Sequence, residues 1–179
     1  MKILLINPWI YDVASYDYWL KPLGLLMLAR KLNESNHEMR LIDCLDRYDP
    51  EFTSLIEKPV KSKWNGTGKF YSEVVKKPSQ LAHVPRFFKR YGIPKKLFEQ
   101  KLNHLKTSGF YPDYAFVTSA MTYWYPGPFE AIKTVKEILP QTTVVLGGNY
   151  ANLMQDHSKL SGADLVCKKS KMPEVLDFL

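Results

Sequence analysis

Apolar and polar positions along the chain alternate between two rhythms. Lys2-Ile-Leu-Leu-Ile-Asn7 is a continuous apolar run closed by Asn7-Pro8. A run without polar alternation is what a strand covered on both faces requires. From Leu23 to Asn33 the spacing becomes helical: Leu25, Leu28, Ala29 and Leu32 form one stripe, and Pro22 suits a first-turn position. Glu38-Met-Arg-Leu-Ile-Asp43 predicts a second strand. Between Pro50 and Gly109 the rhythm breaks, with prolines at 50, 59, 78, 85 and 94 and glycines at 66, 68 and 92. Short helices are expected there, as at Lys95 to Lys106, where Leu97, Phe98, Leu102 and Leu105 share a face. The rhythm resumes with a strand at Tyr114 to Thr118, a helix at Pro128 to Leu139 and a strand at Thr143 to Gly147. A helix at Tyr150 to Leu160, a short strand at Asp164 to Cys167 and a last helical turn from Pro173 complete the pattern.

Five strands alternating with helices predict an open parallel α/β sheet with right-handed crossovers. In such sheets a ligand binds beyond the carboxyl ends of the strands, where the strand order reverses. The expected organisation is a single domain over residues 1–179, with 50–109 as a basic, partly helical insertion between the second and third strands. No internal repeat is visible.

Composition narrows the class. With 45% hydrophobic residues in 179, the chain can bury a core, which excludes wholesale disorder. The longest apolar run, Pro22 to Ala29, falls far short of the ~20 residues that cross a bilayer. Met1-Lys2-Ile3 leads straight into the first strand without a cleavage-site pattern, and Cys44 and Cys167 make neither a disulfide framework nor a CxxC metal site. These features give the expectation of a reducing, cytoplasmic setting with no membrane partner. The net charge is +7, yet it is not spread evenly. Lys58 to Lys106 holds 13 basic residues and two acids, a net of +11, inside an otherwise mildly acidic chain. Three readings of this segment stand: a solvated insertion, a lid or domain-docking surface, and a nucleic-acid surface. The last rests on Phe70, Tyr71, Phe87, Phe88 and Tyr91 interleaved with Lys and Arg. No nucleic-acid-binding motif accompanies it.

Residues just past each predicted strand form a candidate site: Asn7-Pro8, Asp43-Cys44, Thr118-Ser-Ala-Met-Thr122, Gly147-Gly-Asn-Tyr150 and Cys167-Lys168. They are small and polar, and two glycines allow a backbone to approach a ligand closely. Gly147-Gly148 reads equally as a tight turn, and Ser119 and Thr122 equally as helix caps. Trp9, Tyr11, Tyr16, Tyr18 and Trp19, with Tyr123, Trp124 and Tyr125, read either as satellite core or as a flat face for a large ring system or a neighbouring domain. Gly66-Thr-Gly-Lys69 lacks the spacing of a phosphate loop. His157 reads as a lone surface histidine, and the cysteines as small buried hydrophobes. No catalytic constellation and no metal site is present in the pattern.

Three strings carry a resemblance: Val117-Thr-Ser-Ala-Met-Thr-Tyr-Trp-Tyr-Pro-Gly127, Val145-Leu-Gly-Gly-Asn-Tyr-Ala151 and Gly162-Ala-Asp-Leu-Val166. With Ile6-Asn-Pro8, Lys21-Pro-Leu-Gly24, Ile42-Asp43 and Lys89-Arg-Tyr-Gly-Ile93, the chain resembles the amino-terminal cobalamin-binding domain of cobalamin-dependent radical S-adenosylmethionine proteins. The resemblance implies a flavodoxin-like (Rossmann-like) five-stranded sheet with helices on both faces, gripping cobalamin at its strand ends. By position, Ser119 and Gly147-Gly148 would line the slot for the nucleotide tail. With the strand-end set, the candidate cobalamin-binding residues are Asn7, Pro8, Ser119, Met121, Thr122, Gly147, Gly148 and Tyr150.

Two departures matter. Many cobalamin domains carry a DxHxxG motif after the first strand, whose His ligates cobalt, and Asn7 to Asp17 contains no His. A radical S-adenosylmethionine domain holds its iron–sulfur cluster with three cysteines, and Cys44 and Cys167 are too few. The cluster and S-adenosylmethionine are therefore expected only in a separate downstream domain. The chain reads as an amino-terminal fragment of such a protein, with methyl transfer as the reaction the resemblance suggests for the parent, or as a stand-alone relative that binds but does not react. Glu174 to Leu179, which look like the middle of a helix, favour the fragment.

Overall fold

The computed structural model describes residues 1–35, 37–56 and 60–168. The expected last turn from Pro173, Glu174 to Leu179, and Lys58 lie outside the described residues.

Strands β1 (Lys2–Asn7), β3 (Glu38–Asp43), β6 (Tyr114–Val117), β7 (Thr143–Leu146) and β8 (Leu165–Val166) form one parallel sheet in the order β3-β1-β6-β7-β8. The chain steps outward from β1 to β3, then returns across β1 to β6. The reversal therefore falls at the carboxyl end of β1. Central β1 is buried from Ile3 to Asn7, which explains its unbroken apolar run. Edge strand β3 carries Glu38, Arg40 and a 45% exposed Leu41, because one side of an edge strand meets little of the core.

Period-2 alternation splits the core into two layers. Ile3, Leu5, Phe116, Val145 and Cys167 face α1 (Leu23–Asn33), which contributes Leu25 and Leu32. Leu4, Ile6, Ala115, Val117, Val144 and Leu146 face α3 (Lys95–Thr107) and α4 (Pro126–Ile138), which bring Leu97, Phe98, Leu102, Ala131, Ile132 and Val135. The fold is thus the expected α/β sandwich with helices on both faces. Each fully buried aliphatic side chain of this core contributes about 1.5–3 kcal/mol.

The region expected as an insertion holds three kinds of structure. It contains α2 (Pro50–Leu55), capped by Asp49, two short strands, and the crossover helix α3. The strands β4 (Ser72–Val74) and β5 (Lys89–Tyr91) join β2 (Ile10–Asp12) in a small antiparallel sheet of order β2-β5-β4. Arg90 of this sheet pairs with Glu73 and with Glu130 of α4, and Tyr11 donates its hydroxyl to Glu130. Of the five aromatics behind the nucleic-acid reading, Phe70, Phe88 and Tyr91 are buried, Tyr71 is half-buried and Phe87 is exposed, and Arg90 is held by acids. A second buried guanidinium, Arg47, pins the following loop by bonding Asp17, Ser62 and the Gly66 carbonyl.

The helix expected over Tyr150 to Leu160 is two short ones, α5 (Asn149–Leu153) and α6 (Gln155–Ser158). Residues seven apart in a straight helix stand about 10 Å apart along its axis. The break at Met154 lets His157 fold back so that its Nδ1 meets the Tyr150 hydroxyl.

Candidate functional site

The alternation that builds the core also sets the site. Asn7, Asp43, Thr118 and Gly147 each follow the last core position of their strand and fall on the α1 side. There they meet the start of α1, which Pro22 opens without a side-chain cap. A cleft of about 290 Å³ lies at this edge, lined by Asn7, Pro8, Lys21, Gly24, Ser119 and Met121 among others. A second cavity of about 550 Å³ runs between α1 and the sheet, walled by Leu25, Leu28, Phe116, Val145 and Cys167 with Gly147 at its mouth. Gly24, Thr118, Gly148 and Asn149 line both, so the two spaces adjoin.

The second glycine of the pair has a steric reason. Gly148 has φ +95°, and a Cβ there would stand 2.3 Å from the Ser119 carbonyl oxygen and 2.7 Å from the Ser119 nitrogen. Ser119 closes this contact: its hydroxyl donates to the Gly147 carbonyl at 2.7 Å, and its own carbonyl accepts from Asn149 N at 2.8 Å. The loops after β6 and β7 are thereby locked, and the Ser119 hydroxyl keeps only its acceptor capacity for another group. Gly127 does the same for the other wall. A Cβ there would meet the Trp9 carbonyl oxygen at 1.9 Å, so α4 begins directly on the backbone that follows β1.

Polar atoms at the cleft are arranged unevenly. Asn7, 8% exposed, donates from Nδ2 to Asp43 Oδ1 at 2.7 Å, and the same oxygen accepts from Leu45 N at 2.9 Å. Burial pushes the Asp43 carboxyl above its ordinary range, against the pull of those two hydrogen bonds and of Lys21, and with a push from Asp46. No histidine lines either space. His37, His83, His104 and His157 all lie elsewhere, and no group of three or more potential metal ligands occurs among the described residues.

Of the sequence-predicted residues, Asn7, Pro8, Ser119, Met121, Gly147 and Gly148 come together here. Thr122 opens a short 3₁₀ turn and lines neither space. Tyr150, 1% exposed, points into a cluster with Tyr125, Phe129 and His157, and burial followed by Tyr125 pushes its hydroxyl up to about 12. Among the aromatics, Trp9 and Tyr11 are core, whereas Tyr18, Trp19 and Tyr123 stay exposed. The satellite-core reading thus holds for Trp9 and Tyr11 and does not extend to Tyr18, Trp19 and Tyr123. Thr118 and Asn149, from the same strand-end strings, also line the cleft, as do Lys21 and Gly24, which stand outside those strings. The signal that marks them is position, since Lys21 to Gly24 opens the first helix and the others abut strand ends.

Among solved structures the chain matches the crystal structure of a novel cobalamin-binding protein from Desulfitobacterium hafniense DCB-2, with a TM-score of 0.51. The likeness is one of fold. Identity is 12%, and the match covers 99% of this chain and 56% of that one, so the chain spans little more than half its length. No family model and no curated protein matches the sequence. The sheet order and the placement of the cleft at the reversal are the features of the fold that bear on ligand binding. Among the described residues no helix is long and apolar enough to cross a membrane.

Proposed function

We propose that the chain is a cobalamin-binding module of a radical S-adenosylmethionine protein, presenting the corrin to a separate iron–sulfur domain, with methyl transfer as the reaction of the parent. The observation that carries the reading is the pair of adjoining spaces at the reversal: an apolar slot beneath α1 and a polar cleft outside it. A flat benzimidazole ring suits the slot, whose side walls are Leu25, Leu28, Phe116 and Val145 and whose mouth is bare glycine backbone. A corrin with its amide side chains suits the open edge, where Asn7, Thr118, Lys21 and Asn149 offer polar groups. The fold shared with a cobalamin-binding protein supports the same ligand.

When bound, cobalamin supplies a cobalt centre able to carry a methyl group. This chain's residues would hold and orient it. Gly147 and Gly148 admit the ring, Ser119 fixes their turn, and Met121 (46% exposed) with Pro8 gives apolar contact at the rim. Thr122 and Tyr150 would act behind this layer, Tyr150 by anchoring the α5–α6 corner through His157. The iron–sulfur cluster and S-adenosylmethionine belong to the separate domain.

Hydroxocobalamin mixed with the protein and passed through a desalting column tests the reading. The expected result is a corrin spectrum that travels with the protein. Complete loss of the chromophore from folded protein under oxidising and reducing conditions would sink the proposal. The alternative of a nucleotide- or nucleic-acid-binding module keeps only Phe87, 71% exposed, and the half-buried Tyr71 of its five aromatics, because Phe70, Phe88 and Tyr91 are core.

A further inference from the structure

We infer that Asp43 is a positioning residue that fixes the Asn7 carboxamide with its oxygen toward the cleft, so that the ligand group seated at the end of β1 must be a hydrogen-bond donor. Asn7 and Asp43 are register partners on the last rung of β1 and β3, and their side chains lie on the same face. An ionised carboxylate only accepts hydrogen bonds. The Nδ2 of Asn7 must therefore point at Asp43 Oδ1, as it does at 2.7 Å. The backbone carbonyl of Asn7 is also committed, accepting from Cys44 N at 2.8 Å. That leaves Asn7 Oδ1, which accepts nothing among the described residues and is not sealed from solvent. It is an acceptor presented to a cleft that Asn7 lines.

The consequence is a preference in ligand chemistry, and it rests on the cobalamin reading. A corrin edged with carboxamides offers N–H donors to this point. A corrin edged with carboxylates offers only acceptors and meets both Asn7 Oδ1 and the Asp43 charge. Charged groups around Asp43 are Asp46 on the following turn and Lys21 at the start of α1, with the buried Cys44 thiol beside it held neutral by burial. Protonation of Asp43 turns it into a donor and frees the Asn7 amide to flip, which presents N–H to the cleft instead.

Three measurements test this. Hydroxocobalamin affinity is followed from neutral pH down to about pH 4 in the parent protein, Asp43→Asn and Asp43→Ala. Asparagine at 43 keeps an acceptor for Leu45 N and Asn7 but cannot titrate, so it should bind within roughly threefold of the parent at neutral pH, with no loss attributable to Asp43 on acidification. Asp43→Ala should bind about tenfold more weakly. Parallel acid profiles for the parent and Asp43→Asn, or parent-like binding by Asp43→Ala, overturn the inference and leave the cobalamin reading intact. Secondly, a corrinoid with its peripheral amides hydrolysed to carboxylates should bind about tenfold more weakly than its amide form, and equal binding counts against a donor requirement. Thirdly, the ¹⁵N side-chain resonance of Asn7 is read without ligand. It should titrate with Asp43 in the parent and stay fixed in Asp43→Asn. A non-titrating Asn7 amide overturns the positioning role even if no corrinoid binds, whereas a titrating amide in a protein that retains no corrinoid upholds it and sinks only the ligand reading.

Discussion

Two clusters of partly buried polar groups sit on either side of Trp9, and they are built to opposite rules. In the small sheet, Arg90 spends its guanidinium on Glu73 and both oxygens of Glu130, Tyr11 donates to Glu130, and Lys95 approaches Glu130 at 3.3 Å. Of the fully buried side-chain polar atoms among the described residues, only Arg90 Nε lacks a partner. At the strand-end cleft, Asn7 and Ser119 bond just enough neighbours to be fixed, and each retains acceptor capacity. Charge density and burial therefore do not mark a site by themselves. The saturated cluster ties β2, β4 and β5 to α4. The unsaturated one is aimed at a cavity. Perturbed carboxylates occur in both, which is why such perturbation alone is an associational guide to function.

Gly148→Ala should produce the largest effect and break the cleft as a whole. Its φ of +95° is costly for alanine, and the added Cβ would press on Ser119 backbone, which cannot swing aside. The expected loss is about 3–5 kcal/mol of folding stability, from strain plus overpacking, together with loss of corrin retention. Urea unfolding and the desalting experiment read the two parts. A variant of parent-like stability would mean that the Gly148–Ser119 contact is not fixed as described.

Glu130→Ala should come second and should separate the clusters. It leaves Arg90 and Tyr11 short of their main acceptor, at a cost of about 2–3 kcal/mol, because Glu73 still holds part of the charge. Corrin retention should not change. Acid titration gives the two regions opposite signs. Burial pushes Glu130 up, yet the Tyr11 hydroxyl and Arg90 outweigh it and hold the carboxyl below its ordinary range. A depressed pKa contributes stability that is complete above the unfolded value and is lost as pH falls through the folded one. Asp43 is raised instead, so the folded state binds its proton more tightly than the unfolded chain and stability rises as pH falls through its pKa. Thermal melts across the acid range should show a shallower acid loss in Glu130→Ala. Asp43→Asn should melt at or above the parent temperature near neutral pH.

The main sheet was legible because its strands announce themselves: two-sided burial makes β1, β6 and β7 continuous apolar runs, and α1 and α3 keep clean helical stripes. The small sheet was not. Its strands are three residues long, and Tyr11 finds Arg90 only through the tertiary fold. The same fold engages part of the basic segment with acids. Arg90, Lys95 and Lys101 are engaged with Glu73, Glu130, Asp49 and Glu51. At the cleft, the residues after β1, β6 and β7 could be read from position along the chain. Lys21 and Gly24 approach from α1 across the gap, and strand-end counting does not reach them.

Gly24→Leu is the sharpest test despite the smallest effect on stability. Gly24 lines both spaces, and a Cβ built there meets nothing within 4 Å. It lies in the first turn of α1, where replacing glycine by leucine raises helix propensity by up to about 1 kcal/mol. The fold should therefore be unchanged or slightly firmer. A leucine side chain projecting into the junction of slot and cleft competes with the ligand for the same volume, and corrin retention should drop by at least about tenfold, roughly 1.4 kcal/mol. Such a variant, stable but unable to bind, is what the saturated cluster cannot yield, since nothing there opens onto a cavity at the sheet reversal. Undiminished retention in Gly24→Leu would move the ligand away from α1, and with it the role assigned to the slot.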